Sequence, residues 1–167
     1  MNYRECAEWL KNHDNILLLT HVRPDGDTLG SASALCSALR RCGKKAALYN
    51  NPDITPKYMK YIEQYVDADF AYDCVVAVDV AEKHMFPVGY NGEADACIDH
   101  HPSNSHYAHE LLLRPEKASC GEAVLEVIKE LCGNVPLDEA RLITECAVYA
   151  DKSDITEELV RLGSHFS

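Results

Sequence analysis

Three short segments, made almost entirely of apolar residues, set the strongest limit on how this chain can fold. They read NILLLTH at 15–21, DCVVAVDV at 73–80 and DACIDHH at 95–101. Strands in which apolar residues follow one another without alternating with polar ones are typical of parallel sheets that are buried on both faces. The sequence therefore predicts an α/β fold, in which helices cover both faces of a parallel β-sheet.

Amphipathic and small-residue stretches supply the helices that such a sheet needs. The spacing of apolar residues predicts helices at 3–13, 28–43, 56–65, 120–133, 137–150 and 156–166. Two further apolar runs, KKAALYN at 44–50 and HELLLR at 109–114, predict additional short strands. In sheets of this kind ligands bind beyond the carboxyl ends of the strands, so the residues that follow the strands become the candidates for a site.

Length, charge and cysteine pattern limit the classes of protein that remain. The chain has 167 residues, the size of one domain, and its 27 acidic and 16 basic residues give a formal charge of −11. Such a charge disfavours binding along long duplex nucleic acid, and no apolar run is long enough to cross a bilayer. The N-terminus has no secretory signal and the eight scattered cysteines are typical of reduced thiols, so we expect a cytoplasmic protein without membrane contact.

Acidic and imidazole side chains follow each of the three apolar segments. In chain order they are His21, Asp25, Asp27, Asp79, Asp99, His100 and His101. Asp151 is a further candidate, because it follows the apolar stretch ITECAVYA. If the strands are parallel these side chains converge at one edge of the sheet, where carboxylates need a counter-charge. Aspartates combined with imidazoles suit divalent ions of the Mn²⁺ kind, and six ligand candidates are enough for two ions that act on a phosphoryl group.

Each of these clusters also has a purely structural interpretation. Asp27 and Thr28 could cap the following helix, and Asp25 with Gly26 could form a turn. Asp79 could cap the turn after its strand, and DHHPSN at 99–104 could be a polar loop. Each interpretation is reasonable for one cluster alone. Their joint occurrence at three predicted strand ends favours a metal site.

The same residues resemble a known family. HVRPDGDTLGS, VAVDVAE, CIDHHPSN and AVYADKSDI look like the four motifs of the DHH phosphoesterases, in order and with similar spacing. The segment ASCGEAVLEVI resembles the one that follows the DHH motif in that family. The first motif is most similar to the branch that hydrolyses short oligoribonucleotides (nanoRNA) and 3′-phosphoadenosine 5′-phosphate (pAp). The resemblance covers roughly residues 1–155.

The resemblance implies two bound divalent ions, with Mn²⁺ as the expected metal and Mg²⁺ or Co²⁺ as alternatives. The ligands would be His21 and Asp25 for one ion, Asp27, His100 and Asp151 for the other, and Asp79 as the bridge between them.

Three further residues take roles near the reacting group by the same resemblance. Asp99 would orient a neighbouring ligand through a hydrogen bond. His101 would contact the scissile phosphate, where it stabilises developing charge or assists proton transfer. Asn104, at the end of the DHHPSN segment, is expected to contact the substrate.

Two departures from the family pattern affect these expectations. Asp151 stands in YADKSDITEEL, which lacks the usual residues after the last motif, so its role is the least supported by the motif. The glycine-rich C-terminal domain that grips the substrate in this family is also not in the sequence. We therefore expect a single DHH catalytic domain over 1–167, either as the catalytic part of a longer protein or as a stand-alone form.

Three functions stay open from the sequence. The first is a metal-dependent phosphoesterase acting on short oligonucleotides or on nucleotides such as pAp. The second is a manganese-dependent inorganic pyrophosphatase, although Gly26 between Asp25 and Asp27 fits the oligonucleotide branch better. The third is a non-catalytic metal- or nucleotide-binding module. The expected partner is a short oligonucleotide or nucleotide, and the sequence leaves a homodimer open.

Overall fold

The computed structural model describes residues 1–148, which form a five-stranded parallel sheet with the strand order β2-β1-β3-β4-β5. The strands are β1 (Ile16–Leu19), β2 (Ala46–Leu48), β3 (Cys74–Val78), β4 (Ala96–Asp99) and β5 (Glu110–Leu113). Every pairing is parallel, and in the centre of the sheet Leu18 lies opposite Val76. The predicted parallel sheet is therefore confirmed, with all five predicted strands in place.

Five α-helices are described together with this sheet. They are α1 (Tyr3–Lys11), α2 (Gly26–Arg41), α3 (Pro56–Ile62), α4 (Cys120–Cys132) and α5 (Leu137–Val148). Two 3₁₀ helices, Glu63–Tyr65 and Lys83–Met85, complete the elements. The first of these forms the end of the helix predicted at 56–65, and the second was not predicted. The helix predicted at 156–166 lies outside the described residues.

The two faces of the sheet are covered in different ways. On one face Ile16, Leu18 and their neighbours pack against buried residues of all five α-helices. On the other face Leu17 and Leu19 pack against the connection from β3 to β4, which contributes Phe86 and the second 3₁₀ helix. The sequence predicted helices on both faces. The α-helices cover the first face, whereas on the second face loops and a 3₁₀ helix take their place.

The strand order changes direction between β1 and β3. From β1 the chain proceeds to β2 on one side, and β3 then follows on the other side of β1. In open parallel sheets such a reversal leaves a crevice at the carboxyl ends of the two strands, where ligands bind. The residues that follow Leu19 and Val78 therefore lie where a ligand site is expected.

A close approach of two helices fixes the position of α2, which leads away from this crevice. A Cβ atom at Gly30 would lie 2.8 Å from the Cβ of Cys146 and 3.0 Å from the carbonyl oxygen of Leu142, both on α5. Real Cβ atoms are not found at such distances from backbone or Cβ atoms, so only glycine permits this packing of α2 against α5.

We expect Gly30→Ala to lower the free energy of unfolding by about 1–3 kcal/mol, because overpacking here outweighs the gain in helix propensity. Denaturant unfolding measures this change. Ser33→Ala is the matched control on the same helix, because Ser33 is also buried and its Oγ has no hydrogen-bond partner among the described residues. We expect the control to keep or raise stability. An alanine at position 30 that left stability unchanged would contradict the close packing.

The structure also bears on two sequence predictions, one about membrane-spanning segments and one about the cysteines. Within residues 1–148, no helix has the length and apolar character needed to cross a membrane. The eight cysteines are free thiols in the structure, as predicted, and six of them are buried.

Candidate metal centre

The loop after β1 carries two of the predicted site residues, His21 and Asp25. Asp25 is the N-cap of α2, where its Oδ1 accepts hydrogen bonds from the amides of Asp27 (3.0 Å) and Thr28 (3.1 Å). The structural interpretation of the sequence gave this capping role to Asp27 and Thr28. It falls on Asp25 because the helix begins at Gly26, two residues earlier than predicted. The cap does not use Oδ2 of Asp25.

Asp27 lies in the first turn of α2 and is held by the beginning of α4. Its Oδ2 accepts a hydrogen bond from the amide of Cys120 (2.8 Å), and its Oδ1 accepts from the amide of Gly121 (2.9 Å) and from Ser31 Oγ. These amides belong to the N-terminal end of a helix, which carries a partial positive charge and attracts anions. The buried Asp27 carboxylate is thereby fixed between two helices.

Asp79 follows β3 directly and is the most unusual residue of the site. Its backbone has a φ of +63°, in the left-handed region that aspartate and asparagine tolerate better than most residues. The side chain is 2% exposed, and its Oδ1 has no hydrogen-bond partner among the described residues. A buried carboxylate oxygen without a donor is costly. Strain and an unpaired oxygen at one residue are typical of a functional position.

Two histidines turn the same ring nitrogen toward this carboxylate cluster. Nδ1 of His21 donates to the carbonyl of Val22 (2.8 Å), and Nδ1 of His100 donates to the carbonyl of Lys117 (3.0 Å). Because carbonyl oxygens only accept, both rings carry a proton on Nδ1, so that in the neutral ring Nε2 is the atom that offers an electron pair. Histidines that bind metals are held in this way.

The distances place both Nε2 atoms beside carboxylates. Nε2 of His21 lies 3.6 Å from Asp25 Oδ1, and Nε2 of His100 lies 3.4 Å from Asp79 Oδ1 and 3.6 Å from Asp27 Oδ2. The electron-donating atoms that follow three strands, β1, β3 and β4, and those at the start of α2 therefore face a common centre, as the strand-end positions in the sequence predict.

His101 has a different environment from His100. Its Nδ1 lies 2.7 Å from Oδ1 of Asp99 and donates to that carboxylate, which leaves Nε2 for a contact outside the protein. The side chain of His101 is 39% exposed, compared with 15% for His100. Of these two imidazoles, His101 is therefore the one that solvent or a ligand reaches more easily.

Asp99 and Asn104 form a buried support beneath His101. Asp99 is completely buried, and its Oδ2 accepts a hydrogen bond from Asn104 Nδ2 (2.7 Å). The Oδ1 of Asn104 accepts from the amide of His106 (2.8 Å). The sequence predicted that Asn104 contacts substrate, but the structure buries its amide and engages both ends within the protein. The residue is placed to hold Asp99.

Among residues 1–148, two groups of three side chains have donor atoms close enough to share an ion. The first comprises His21, Asp25 and Asp79, and the second comprises Asp79, His100 and His101; within each group the atoms lie within 4.8 Å of one another. Asp79 belongs to both groups. Asp27 lies next to the second group, because its Oδ2 is 3.6 Å from Nε2 of His100. Asp151 lies outside the described residues.

The pKa values of the cluster show the effect of crowding several carboxylates. Burial and the neighbouring Asp79 raise the pKa of Asp27 to about 7, although the amides of Cys120 and Gly121 oppose this. Burial also raises the pKa of Asp79, with a contribution from Asp25. Both aspartates would be stabilised as carboxylates by an additional positive charge.

The pKa values of His100 and His101 are also raised, but the cause is the neighbouring carboxylates and not burial. Burial lowers the pKa of His100, but Asp79, the carbonyl of Lys117 and Asp27 together outweigh it and raise the value to about 9. The hydrogen bond to Asp99 raises the pKa of His101. In the absence of a cation, protons on the imidazoles balance part of the negative charge of the carboxylates.

Several residues of this site could not be identified as functional from their own sequence context. Lys117 contributes only its carbonyl, and Cys120 and Gly121 contribute only amides. One local signal points to the last two: Ser119 and Glu122 form the S-x-x-E pattern of a helix start, and the amide of Glu122 donates to Ser119 Oγ. That pattern locates the helix terminus but not the anion that it binds.

The residues present fit a divalent cation. The centre offers carboxylate oxygens and imidazole nitrogens, a combination that Mn²⁺ and related ions accept, and it contains a buried carboxylate oxygen that nothing else in the described chain satisfies.

A known protein family matches the segment that contains these site residues. The profile of the DHH family, N-terminal domain, matches residues 15–158. This range contains every predicted metal ligand, including Asp151.

The chain matches only part of the length of individual relatives. The chain is 34% identical over 133 residues to a protein of Thermus thermophilus named bifunctional oligoribonuclease and PAP phosphatase NrnA, a match that covers 75% of this chain and 40% of the relative. A protein of Bacillus subtilis with the same name is 25% identical over 133 residues, covering 75% of this chain and 42% of that protein. The chain thus matches well under half the length of these relatives.

A solved structure shows the same fold. An exopolyphosphatase-related protein from Bacteroides fragilis superposes with a TM-score of 0.76 at 18% sequence identity, covering 98% of this chain and 55% of that one. This likeness concerns the fold.

Proposed function

The chain belongs to the DHH family, and on that premise we propose that it is a metal-dependent phosphoesterase acting on short oligonucleotides or on nucleotide phosphomonoesters such as pAp. The relatives named as oligoribonuclease and PAP phosphatase support this choice of substrate. The chain matches 40% of the length of the Thermus relative, so the proposal concerns this segment and not the whole of such a protein.

One observation carries the proposal. Asp79 is buried, is held in a left-handed backbone conformation, and has an Oδ1 atom without a hydrogen-bond partner in the described chain. The same carboxylate belongs to both groups of potential metal ligands. A single side chain at the meeting point of two groups is what a shared ligand of two ions requires.

We assign the ligands as the family resemblance implies. His21, Asp25 and Asp79 would hold one ion, and Asp27, Asp79, His100 and Asp151 would hold the second. Bound there, two divalent ions, with Mn²⁺ as the expected metal, would polarise phosphoryl oxygens and neutralise the negative charge of this acidic site. The other contributions come from the residues of the chain itself.

His101 would act on the phosphate. Its Nδ1–H is committed to Asp99, which fixes the ring plane and leaves Nε2 directed away from the buried support. Asp99 also raises the pKa of His101, so that the ring more readily holds a proton on Nε2. A protonated Nε2 can donate to a phosphoryl oxygen or to the leaving oxygen of the ester. Asn104 acts through Asp99 as a positioning residue.

Metal binding is the first test, because it does not depend on finding the substrate. We expect Mn²⁺ to raise the melting temperature of the chelator-treated chain, since the ion binds only the folded ligand set; at a hundredfold excess over the dissociation constant the gain is about 2.7 kcal/mol. Isothermal titration should show two sites per chain. If Mn²⁺, Mg²⁺ and Co²⁺ all leave the melting temperature unchanged and give no binding heat, the proposed site does not exist.

Hydrolysis is measured separately, with short oligoribonucleotides, pAp and pyrophosphate side by side in Mn²⁺. Release of mononucleotides or of phosphate from pAp supports the proposal. Hydrolysis of pyrophosphate alone would indicate an inorganic pyrophosphatase, and tight metal binding without hydrolysis of any of the three would indicate a binding module.

A further inference from the structure

We propose that Cys42 and Cys132 form an oxidisable thiol pair, which low-molecular-weight disulfides convert into an intramolecular disulfide bond. The two sulfur atoms lie 3.0 Å apart, although the residues are far apart in the sequence. A disulfide bond is about 2.05 Å long, so a shift of roughly 1 Å is sufficient to join them. This inference is independent of the proposed function.

The position of the two residues in the fold makes such a shift possible. Cys42 is the C-cap of α2, and Cys132 is the last residue of α4. Each is followed by a glycine in the left-handed conformation, Gly43 with φ +82° and Gly133 with φ +80°. Both thiols therefore lie at helix ends next to turns, where a small backbone adjustment affects only the last hydrogen bonds of each helix, such as the one from the Cys42 amide to the Ala38 carbonyl.

Access to solvent separates this pair from the other cysteines. Cys42 is exposed and Cys132 is half-buried, whereas the remaining six thiols are buried. Arg41 lies beside the pair, and its guanidinium favours the thiolate form of Cys132, although burial raises the pKa of that thiol to about 12. The exposed Cys42 is consequently the thiol that an oxidant in solution meets first.

The reaction balances with oxidised glutathione as the oxidant. The Cys42 thiol loses its proton to solvent and attacks one sulfur of the glutathione disulfide, which forms a mixed disulfide and releases one glutathione thiolate. The Cys132 thiol then loses its proton, attacks the Cys42 sulfur and displaces the second glutathione. Two cysteine thiols are oxidised, one glutathione disulfide is reduced to two thiols, and the two protons end on the released glutathione.

The bond would join α2 and α4 at the ends opposite the metal centre. At their N-terminal ends these helices are already connected, because Asp27 on α2 accepts hydrogen bonds from the first amides of α4. The disulfide would close a loop over residues 42–132 and restrict the unfolded chain accordingly. We expect oxidation to raise the melting temperature by about 10 °C.

The test is oxidation of the folded chain with oxidised glutathione, without denaturant, followed by intact-mass measurement and mapping of non-reduced peptides. We expect a loss of two hydrogen atoms, a cross-linked peptide pair containing Cys42 and Cys132, and the rise in melting temperature. Cys42→Ser and Cys132→Ser are the matched controls, because each leaves one thiol without its partner. Neither control should lose the hydrogens or gain the stability.

Three results would overturn the proposal. The first is that both thiols stay separately available to an alkylating reagent after oxidation. The second is that the cross-link forms only in denaturant, where any cysteines can meet. The third is a cross-linked chain that melts at or below the temperature of the reduced chain, which would show that the folded helices do not accept the bond.

Discussion

Asp79→Asn is expected to abolish binding of divalent ions at both proposed positions and to reduce hydrolysis at least a thousandfold, because one carboxylate serves both ligand groups. Asparagine is the appropriate replacement, since it matches the size of aspartate and tolerates the left-handed backbone found at this position. Isothermal titration with Mn²⁺ and the hydrolysis assay measure the two losses on the same preparation.

The same substitution is expected to stabilise the metal-free protein by about 1–2 kcal/mol. Burial and the neighbouring Asp25 raise the pKa of Asp79, so the folded state disfavours its charge. A carboxyl group whose pKa is raised in the folded state lowers the free energy of unfolding at pH values above its pKa in the unfolded chain, which is near 4. Below that pH it has no such effect. The advantage of asparagine should therefore be present at neutral pH and disappear in acid, which thermal unfolding in chelator measures.

Asp69→Asn is the control for this variant. Asp69 is exposed and lies outside the metal centre, so the same loss of charge should leave metal binding and hydrolysis unchanged. If Asp79→Asn retained two Mn²⁺ sites, the assignment of Asp79 as a shared ligand would be wrong. A variant that lost metal and was also less stable without it would show that Asp79 contributes to folding through contacts other than those described.

His101→Gln is expected to lower kcat by about 10²–10⁴-fold while the affinity for Mn²⁺ changes little. The reason is that the two nitrogens of the ring have different partners. Nδ1 is occupied by Asp99, and only Nε2 on the accessible side remains for a phosphoryl oxygen. A loss confined to kcat is the signature of a group that acts in the transition state.

The competing role for His101 is that of a metal ligand, because its donor atoms lie near Asp79 and His100. A parallel loss of Mn²⁺ affinity and of activity in His101→Gln would establish that role and exclude the proposed one. His109→Gln is the control, since His109 is exposed and is not among the residues of the centre. It should match the unmodified chain in both assays.

Much of the fold follows from local sequence pattern. Continuous apolar runs such as ILLL in β1 and CVVAV in β3 are buried on both faces, and this is what a central parallel strand requires. The positions of His21, Asp79 and His100 at strand ends then follow from geometry, because parallel strands present their carboxyl ends at one edge. These placements depend only on strand identity and direction.

Other features depend on contacts that no local pattern contains. Asp25 and Asp27 are separated by one glycine, and which of them caps α2 depends on where the helix begins. The partner of Asp27 is the N-terminal end of α4, more than ninety residues later in the chain. Asn104 has the residue type of a substrate contact, and only its burial beside Asp99 shows that it supports another side chain.

The hydrogen bonds between Asp27 and the start of α4 also bear on how the chain matures during synthesis. A nascent chain that has emerged from the ribosome only as far as β5 already contains His21, Asp25, Asp79 and His100, but not the amides of Cys120 and Gly121 that hold Asp27. Asp27 therefore reaches its final position only after α4 has been synthesised and has docked. A growing chain thus completes the proposed metal centre only late in its synthesis.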